Sequence, residues 1–482
     1  MASLAGLARP DVQLPAYPRE GLACGVVHLG LGAFHRAHQA MYFDSLLAAG
    51  DTRWGVCGVA TRSAALADTL AAQDSLYAVK TAGTGGESWR VVGAILGTCA
   101  ARREPARVQA RIAAESTRWI TLTVTEKGYD ADLAQLLLEG LRQRRAAGRG
   151  GLTIASCDNL SRNGELLKAL LLSHCAAPAS AGGDDAALAQ WISRHCRFPN
   201  SMVDRIVPAA TAQCADEAAQ VLGLADRAAL FTEQFCEWVL QDDLADPSDA
   251  AALAGCGVAV VPDVAPYEEA KLRMLNGSHS AMACIGALMD LATVFDAMAQ
   301  PDLAAFLQGL MTREVMPHLA RPGLPAYRDA LLGRFANPAI RHALHQIATD
   351  SSRKIPLRWV PSVLAQLRAG APVDHLAFAA AAWVRYCAGL SDAGAAFTVN
   401  DPQAALLVSL AREHAGDAPR AVAALLGLQA IWGAELAAHA GWQACVTHHA
   451  QEMAAHGTAA ALRRFIALRS GAPHALDEDL QP

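Results

Sequence analysis

Residues 271–279 bring together four side chains suited to holding hydroxyl groups and moving a proton: an amine, an amide, a hydroxyl and an imidazole. They are Lys271, Asn276, Ser278 and His279. The segment is predicted to be helical, since Pro266 stands near its start and acidic residues follow in the first turn. A regular helix places Lys271, Leu275 and Ser278 on one stripe, with the amide and the imidazole beside it.

This grouping predicts a site that binds a polyhydroxylated substrate and transfers a proton. Burial disfavours the charged form of a lysine and depresses its pKa, so a buried amine at this position could act as a general base. Spacing alone also fits a second interpretation, a solvated or internally satisfied helix face without a catalytic role.

A strand, a glycine turn and a helix follow one another near the N-terminus. Residues 26–29 are a short β-rich run, Gly30-Leu31-Gly32 follows, and residues 33–42 are predicted to form one helix. In dinucleotide-binding domains the first glycine permits the tight turn and the second lets the backbone approach a pyrophosphate. His35 stands where the third glycine of the fingerprint would be, so the turn alone is weak evidence.

Further strand candidates alternate with helical stretches, which predicts a parallel, doubly wound sheet. Strands are predicted at residues 54–59, 119–124 and 152–156, and helices at 64–73 and 133–145. Polar residues follow two of these strands, Glu126 after one and Asn159 after another. Because ligands bind at the carboxyl ends of parallel strands, these residues are candidates for the site.

The character of the sequence changes near residue 265. Residues 255–261 are the last predicted strand, and Ala- and Leu-rich helical patterns follow at 303–315, 339–349, 375–390 and 403–414. We therefore expect an α/β domain with a parallel-rich, doubly wound sheet at residues 1–265 and an all-α domain at residues 266–482.

Composition argues against several classes of protein. The net charge of −6 comes without a basic stripe for nucleic acid or a basic helix for a membrane surface. No apolar run is long enough for a bilayer, and no segment resembles a signal peptide. The twelve cysteines include no C-x-x-C pair, which predicts a cytoplasmic protein with free thiols and no metal site. His35 and His38 indicate packing rather than metal binding.

Several longer motifs carry a family resemblance. They include Val27-His28-Leu29-Gly30-Leu31-Gly32-Ala33-Phe34, Thr125-Glu126-Lys127-Gly128-Tyr129, Asn200-Ser201-Met202-Val203-Asp204-Arg205, the segment 271–279, and Asp350-Ser351-Ser352-Arg353-Lys354. In this order they resemble the mannitol dehydrogenase family of long-chain polyol-specific dehydrogenases, which includes fructuronate and tagaturonate reductases.

The resemblance implies a Rossmann-type first domain, a helical second domain and metal-independent hydride transfer with a nicotinamide cofactor. The catalytic residues that it implies are Lys271 as general acid/base, Asn159 and Asn276 as donors to the reacting oxygen, and His279 as a hydroxyl-positioning group. Asp204 and Lys354 are implied substrate contacts.

Cofactor binding is assigned to the glycine turn and to strand ends, at Gly30, Gly32, Ala33, Phe34, Arg62 and Glu126. NAD is the cofactor that the family implies. The second predicted strand, however, is followed by Thr61-Arg62-Ser63, without the acidic residue that grips the ribose of NAD. Arg62 could instead meet a 2′-phosphate, which makes NADP the alternative, or it could be solvated. Glu126 could also relay protons, or simply cap its loop.

The substrate is expected to be a small sugar acid or polyol. This chain has Gln346 where the mannitol-oxidising members of the family carry an arginine. The resemblance is therefore closer to the hexuronate branch, which implies D-mannonate and D-fructuronate as the substrate pair. A substrate carboxylate would then need a cation such as Lys354, Arg353 or Arg341. The alternatives are mannitol 2-dehydrogenase or a related polyol dehydrogenase and, more distantly, a non-catalytic sugar or dinucleotide sensor. The sequence has no heptad repeat that would predict a coiled-coil interface, so we expect a monomer or a weak homo-oligomer.

Overall fold

The computed structural model describes residues 11–83, 85–176 and 183–470. The chain divides into two compact units, Met1–Tyr267 and Glu268–Pro482, close to the boundary that the sequence predicts. The first unit is α/β, and the second consists of helices in the part of the chain that the structure describes.

The first unit contains twelve strands in its described residues. They are β1 (Val12–Gln13), β2 (Cys24–Leu29), β3 (Gly55–Ala60), β4 (Tyr77–Gly83), β5 (Gly86–Val92), β6 (Ile95–Ala100), β7 (Trp119–Leu122), β8 (Thr153–Ser156), β9 (Ser201–Asp204), β10 (Leu230–Glu233), β11 (Glu237–Gln241) and β12 (Ala259–Val261).

Nine α-helices lie between these strands within the described ranges. They are α1 (Ala33–Ala37), α2 (Gln39–Ala48), α3 (Ala65–Ala71), α4 (Pro105–Ala113), α5 (Ala131–Ala146), α6 (Asn163–Cys175), α7 (Gly183–His195), α8 (Ala212–Leu222) and α9 (Ser248–Gly255). The helix predicted at 33–42 is broken at His38, whose backbone lies at φ −127° and ψ −92°, outside the helical region.

The central sheet has five strands in the order β6-β3-β2-β7-β8, and every pair is parallel. Apolar cores cover both of its faces. Val26 packs in one core with Phe43 of α2, whereas Val27 and Leu29 belong to a second core with Leu137 of α5. Burial on both faces explains why these strands are continuous apolar runs in the sequence, and it confirms the predicted parallel, doubly wound sheet.

Two smaller sheets were not predicted. One has the order β1-β5-β4-β10, with β4 and β5 antiparallel, and the other has the order β12-β11-β9. The strand predicted at 255–261 is wrong in its first half, because α9 continues to Gly255 and only Ala259–Val261 pairs with β11.

The helix α10 (Ala265–Ala270) leads into the second unit. Its further helices are α11 (Gly277–Leu288), α12 (Val294–Met298), α13 (Pro301–Gly309), α14 (Leu324–Phe335), α15 (Leu344–Ala348), α16 (Ser351–Arg358), α17 (Val360–Arg368), α18 (Asp374–Tyr386), α19 (Ala404–Glu413), α20 (Ala418–Leu426), α21 (Gln429–Ala437), α22 (Ala440–His456) and α23 (Thr458–Ser470). Of the helix predicted at 339–349, only α15 forms.

The helix α11 runs through the core of this unit. Every one of its residues is buried except His279. Small side chains make this depth feasible: a Cβ added to Gly286 would lie 2.5 Å from Cδ1 of Leu344. Within the described ranges, each helix is either too short or too polar to cross a bilayer.

Candidate active site

The segment predicted to carry the chemistry is not a regular α-helix. Lys271–Asn276 form a π-helical turn between α10 and α11, and the N–H of Gly277 donates to the carbonyl of Leu272, five residues back. Two residues five apart on an α-helix point about 140° away from each other. The wider π turn reduces this angle and brings Lys271 and Asn276 towards one face.

The predicted stripe through Lys271, Leu275 and Ser278 is therefore wrong. Leu275 and Ser278 are 4% and 0% exposed, so they face the core. Lys271, Asn276 and His279 remain partly exposed and form the accessible edge of the segment. This edge carries an amine, an amide and an imidazole, which is the set needed for proton transfer and hydrogen bonding to an oxygen.

Two rings, those of Phe335 and His342, lie near His279. Its ring centroid lies 4.5 Å from that of Phe335 and 6.2 Å from that of His342. Burial lowers the pKa of His342, and the charge of Lys354 lowers it further. The ring of His342 is therefore disposed to be neutral, and it could act as a hydrogen-bond acceptor for a hydroxyl group.

Lys354 is partly buried and donates through Nζ to the carbonyl of Ile347 at 3.1 Å. Burial and then the charge of Arg358 lower its pKa, while Asp350 and Asp401 act in the opposite direction. Among the described residues, no carboxylate oxygen lies within ion-pair distance of either Lys354 or Arg358. Arg341 and Arg353, the other two cations considered as partners of a substrate carboxylate, are exposed.

The segment Asp350–Lys354 is anchored by Asp401, a residue that the sequence did not suggest. Its carboxylate accepts the N–H of Ser352 at 2.8 Å and the hydroxyls of Ser351 and Ser352 at 3.0 and 2.6 Å. These bonds fix the start of α16, the helix that carries Lys354.

In the first unit, the two glycines of the turn after β2 differ in what an added side chain would contact. Gly30 has φ +100°, and a Cβ there would lie 2.2 Å from the carbonyl oxygen of Thr123, so the fold requires it. A Cβ on Gly32 would meet nothing closer than the carbonyl of Gly30 at 3.6 Å. The space beside Gly32 is thus left open by the protein, as a cofactor would need. Ala33 and Phe34 follow it and are partly exposed.

A buried pair of histidines lies beneath this turn and was not predicted. The rings of His28 and His35 stack with centroids 3.3 Å apart. His28 bonds the hydroxyls of Thr121 at 2.8 Å and Thr123 at 2.9 Å. Burial lowers the pKa of His28 to about 3 and that of His35 well below its usual value, so both rings are neutral. His35 occupies the position of the missing third glycine and packs against the ring of His28.

Asp158, for which no role was predicted, connects the loops at the ends of β7 and β8. It accepts the N–H groups of Thr125 at 2.7 Å and Val124 at 3.2 Å. Thr125 has φ +66° and ψ 164°, a strained conformation for a β-branched residue. Glu126 and Asn159, the predicted site residues beside this clamp, are both exposed.

A cavity of about 640 Å³ opens at the same edge of the sheet. Its lining includes Thr61, Arg62, Arg102, Lys127 and Asp130. Arg62 and Arg102 have no ion-pair partner among the described residues, whereas the neighbouring Asp68 is held by Arg103. The cavity therefore presents basic groups near the end of β3.

Asp204, the remaining predicted contact, is the last residue of β9. It is 4% exposed and pairs in register with Glu237 of β11. The next residue, Arg205, donates to the carbonyls of Glu233 and Ala37, which ties the end of β9 to the end of α1.

Comparison with known proteins covers both units. Residues 24–249 match the mannitol dehydrogenase Rossmann domain and residues 263–454 match the mannitol dehydrogenase C-terminal domain. The chain is 38% identical to a mannitol 2-dehydrogenase of Phaeosphaeria nodorum, over 84% of this chain and 76% of that protein. It is 35% identical to a D-mannonate oxidoreductase of Escherichia coli, over 92% of this chain and 96% of that protein.

A solved structure is similar over nearly the whole length. It is the Pseudomonas fluorescens mannitol 2-dehydrogenase in a ternary complex with NAD and D-mannitol. The TM-score is 0.75 at 31% identity, and the match covers 96% of this chain and 98% of that one. The two kinds of relative, acting on a polyol and on a sugar acid, are thus similar to this chain to a comparable degree.

Proposed function

Since the chain belongs to the mannitol dehydrogenase family of oxidoreductases acting on CH–OH donors, we propose that it interconverts D-mannonate and D-fructuronate with a nicotinamide cofactor. The observation that supports a sugar acid is Lys354: a partly buried ammonium beside His342, with no carboxylate partner among the described residues. Burying a charge without an ion-pair partner is costly even where Asp350 and Asp401 offset part of that cost, and a substrate carboxylate would offset more of it.

We assign proton transfer to Lys271. In oxidation its neutral amine takes the proton of the substrate hydroxyl, and in reduction its ammonium form returns a proton to the new alkoxide. Asn276 lies on the same helical edge and donates to that oxygen as its charge develops, and Asn159 keeps the similar role that the family resemblance implies. Losing one such donor typically lowers kcat about a hundredfold. His279 orients a neighbouring hydroxyl.

NAD fits the first unit and is our proposed cofactor; when bound, it would accept or release the hydride. The open side of Gly32 would receive the pyrophosphate, with Ala33 and Phe34 beside it. Arg62 supports NADP as the second candidate, because it lines the cavity at the end of β3 and no acidic residue follows that strand. Glu126 and Asp204 stay proposed contacts of cofactor and substrate.

Mannitol 2-dehydrogenase is the second candidate activity, and the identity to the Phaeosphaeria nodorum protein favours it. Initial rates of NADH and NADPH oxidation with fructuronate, tagaturonate and fructose separate the two. We expect turnover with fructuronate to exceed turnover with fructose by at least about tenfold in kcat/KM, as for one well-placed charge contact. Turnover with fructose and none with either uronate would refute the sugar-acid assignment.

A single variant tests the alternative that the protein is a non-catalytic sensor. Lys271→Ala should abolish turnover while cofactor binding, followed by the fluorescence of NADH, is retained. A protein that shows no turnover before the change, and unaltered ligand binding after it, would be a sensor.

A further inference from the structure

The π turn that brings Lys271 and Asn276 together is supported from outside its own helix. Arg358, the last residue of α16, donates through Nη1 to the carbonyl of Asn276 at 3.1 Å and to the hydroxyl of Ser280 at 2.8 Å. Trp359 donates through Nε1 to the carbonyl of Gly277 at 3.0 Å. Two consecutive carbonyls at the end of the π turn thus accept side-chain donors from residues 82 positions further along the chain.

These donors are placed where a π turn needs them. A π turn replaces bonds between residues four apart by bonds between residues five apart, and the wider turn leaves its carbonyls less well aligned with the backbone N–H groups. A guanidinium that bridges Asn276 and Ser280 binds the last residue of the π turn to the first full turn of α11.

Keeping an arginine in this position is unfavourable by itself. Burial lowers the pKa of Arg358 to about 10, and no carboxylate compensates it among the described residues. A hydrophobic side chain of similar length would avoid this cost. The two hydrogen bonds to the π segment are therefore the specific contribution of the guanidinium.

We propose that Arg358 is a positioning residue for the reaction: its guanidinium holds the π turn in the form that presents Lys271 and Asn276 on one edge. Trp359 assists through the carbonyl of Gly277. This proposal rests on the proposed function, in which Lys271 is the acid/base and Asn276 a donor to the reacting oxygen.

The chain offers a matched control in Arg273. This arginine belongs to the π segment itself and is buried, whereas Arg358 is partly buried; its guanidinium donates away from the accessible edge, to the hydroxyl of Ser362 at 2.9 Å and the carbonyl of His318 at 3.2 Å. Arg358→Met and Arg273→Met each remove a guanidinium that donates two hydrogen bonds inside the second unit, so both should lower the melting temperature. Only the first should change the chemistry.

The experiment measures kcat, KM and the pH dependence of kcat for the full-length protein with its best substrate. For Arg358→Met we expect kcat to fall roughly 10- to 100-fold, as for a displacement of about 1 Å at a reacting group, while KM changes less. The ionisation in the kcat profile should move by about half a unit or more, because the surroundings of the base change. Arg273→Met should keep the wild-type profile. Arg358→Lys, which retains the charge but not the bridging geometry, should recover only part of the loss.

The inference is overturned if Arg358→Met keeps kcat within about twofold and the wild-type profile, or if Arg273→Met loses kcat equally. Should Arg358→Met not fold, Arg358→Lys and Trp359→Phe decide the question by the same two readouts. Lys271→Ala separates this failure from a failure of the proposed function. If Lys271→Ala turns over normally, the function is wrong; if it is inactive while the Arg358 variants are normal, only the positioning role is wrong.

Discussion

Replacing Asp401 by asparagine should loosen the start of α16 by an amount that can be worked from its contacts. One carboxylate oxygen accepts the N–H of Ser352 at 2.8 Å, and the other accepts the N–H of Gln403 at 2.9 Å. Asparagine has one oxygen, so either orientation of its amide turns an NH₂ group towards a backbone N–H. One charge-assisted hydrogen bond is lost whichever way the amide lies.

A hydrogen bond to a charged group contributes about 1.5–3 kcal/mol. Asp401→Asn should therefore destabilise the protein by about this amount, equivalent to about 3–12 °C in melting temperature for a unit of this size. Because α16 carries Lys354 and Arg358, kcat/KM for a keto-uronate should fall as well, measured at a temperature well below the transition. Scanning calorimetry and initial rates are the two assays.

Asp417 provides the control. It caps α20 by accepting the N–H of Arg420 at 3.1 Å, and asparagine serves as well as aspartate in that position. Asp417→Asn should shift the melting temperature by no more than about 2 °C. Equal effects of the two substitutions, or a stable and fully active Asp401→Asn variant, would refute the claim that Asp401 anchors the site.

Four further outcomes are expected. Lys354→Met should raise KM for fructuronate about tenfold or more and leave any turnover of fructose unchanged, measured by initial rates. Gly32→Ala should keep the melting temperature but weaken NADH binding in a fluorescence titration, whereas Gly30→Ala should lower the melting temperature because its Cβ would clash with a carbonyl. The pKa of His28 is lowered by burial to about 3, so its contribution to stability is present above about pH 6.5 and is lost as the pH falls towards 3. Urea unfolding of wild type should therefore lose about 2 kcal/mol in total from this group between pH 7 and pH 5, with the slope approaching about 1.4 kcal/mol per pH unit only near pH 5, and His28→Asn should show a shallower dependence. Arg62→Asp should shift the ratio of kcat/KM values from NADPH towards NADH, and an unchanged ratio would show that Arg62 is only solvated.

The sequence predicts well the elements that depend on contacts between nearby residues and the strands that are buried on both faces. The strands predicted at 119–124 and 152–156 became β7 and β8, with ends displaced by one or two residues. They are recognisable because both faces are buried, which leaves continuous apolar runs. Strands of the small sheets, such as β5, bury only part of their residues and left no comparable pattern.

The geometry of the active segment could not be predicted from its own residues. The π turn at Lys271–Asn276 depends on donors from Arg358 and Trp359, and the segment at 350–354 depends on Asp401. Such contacts join residues about 50 to 80 positions apart. Residue types and motifs therefore pointed to Lys271, Asn276 and His279. The prediction assumed a regular α-helix, however, and so placed the buried Leu275 and Ser278 on the same stripe as Lys271.

The deep burial of α11 determines how the substrate range of this protein can be altered by engineering. Since His279 is its single accessible residue, randomising the remainder of that helix would mostly produce unfolded variants. Libraries aimed at new sugars belong instead on partly exposed residues near His279 or on the cationic side of the site, such as His342 and Lys354. The helix then acts as a constant scaffold, and selectivity can change around it at little risk to folding.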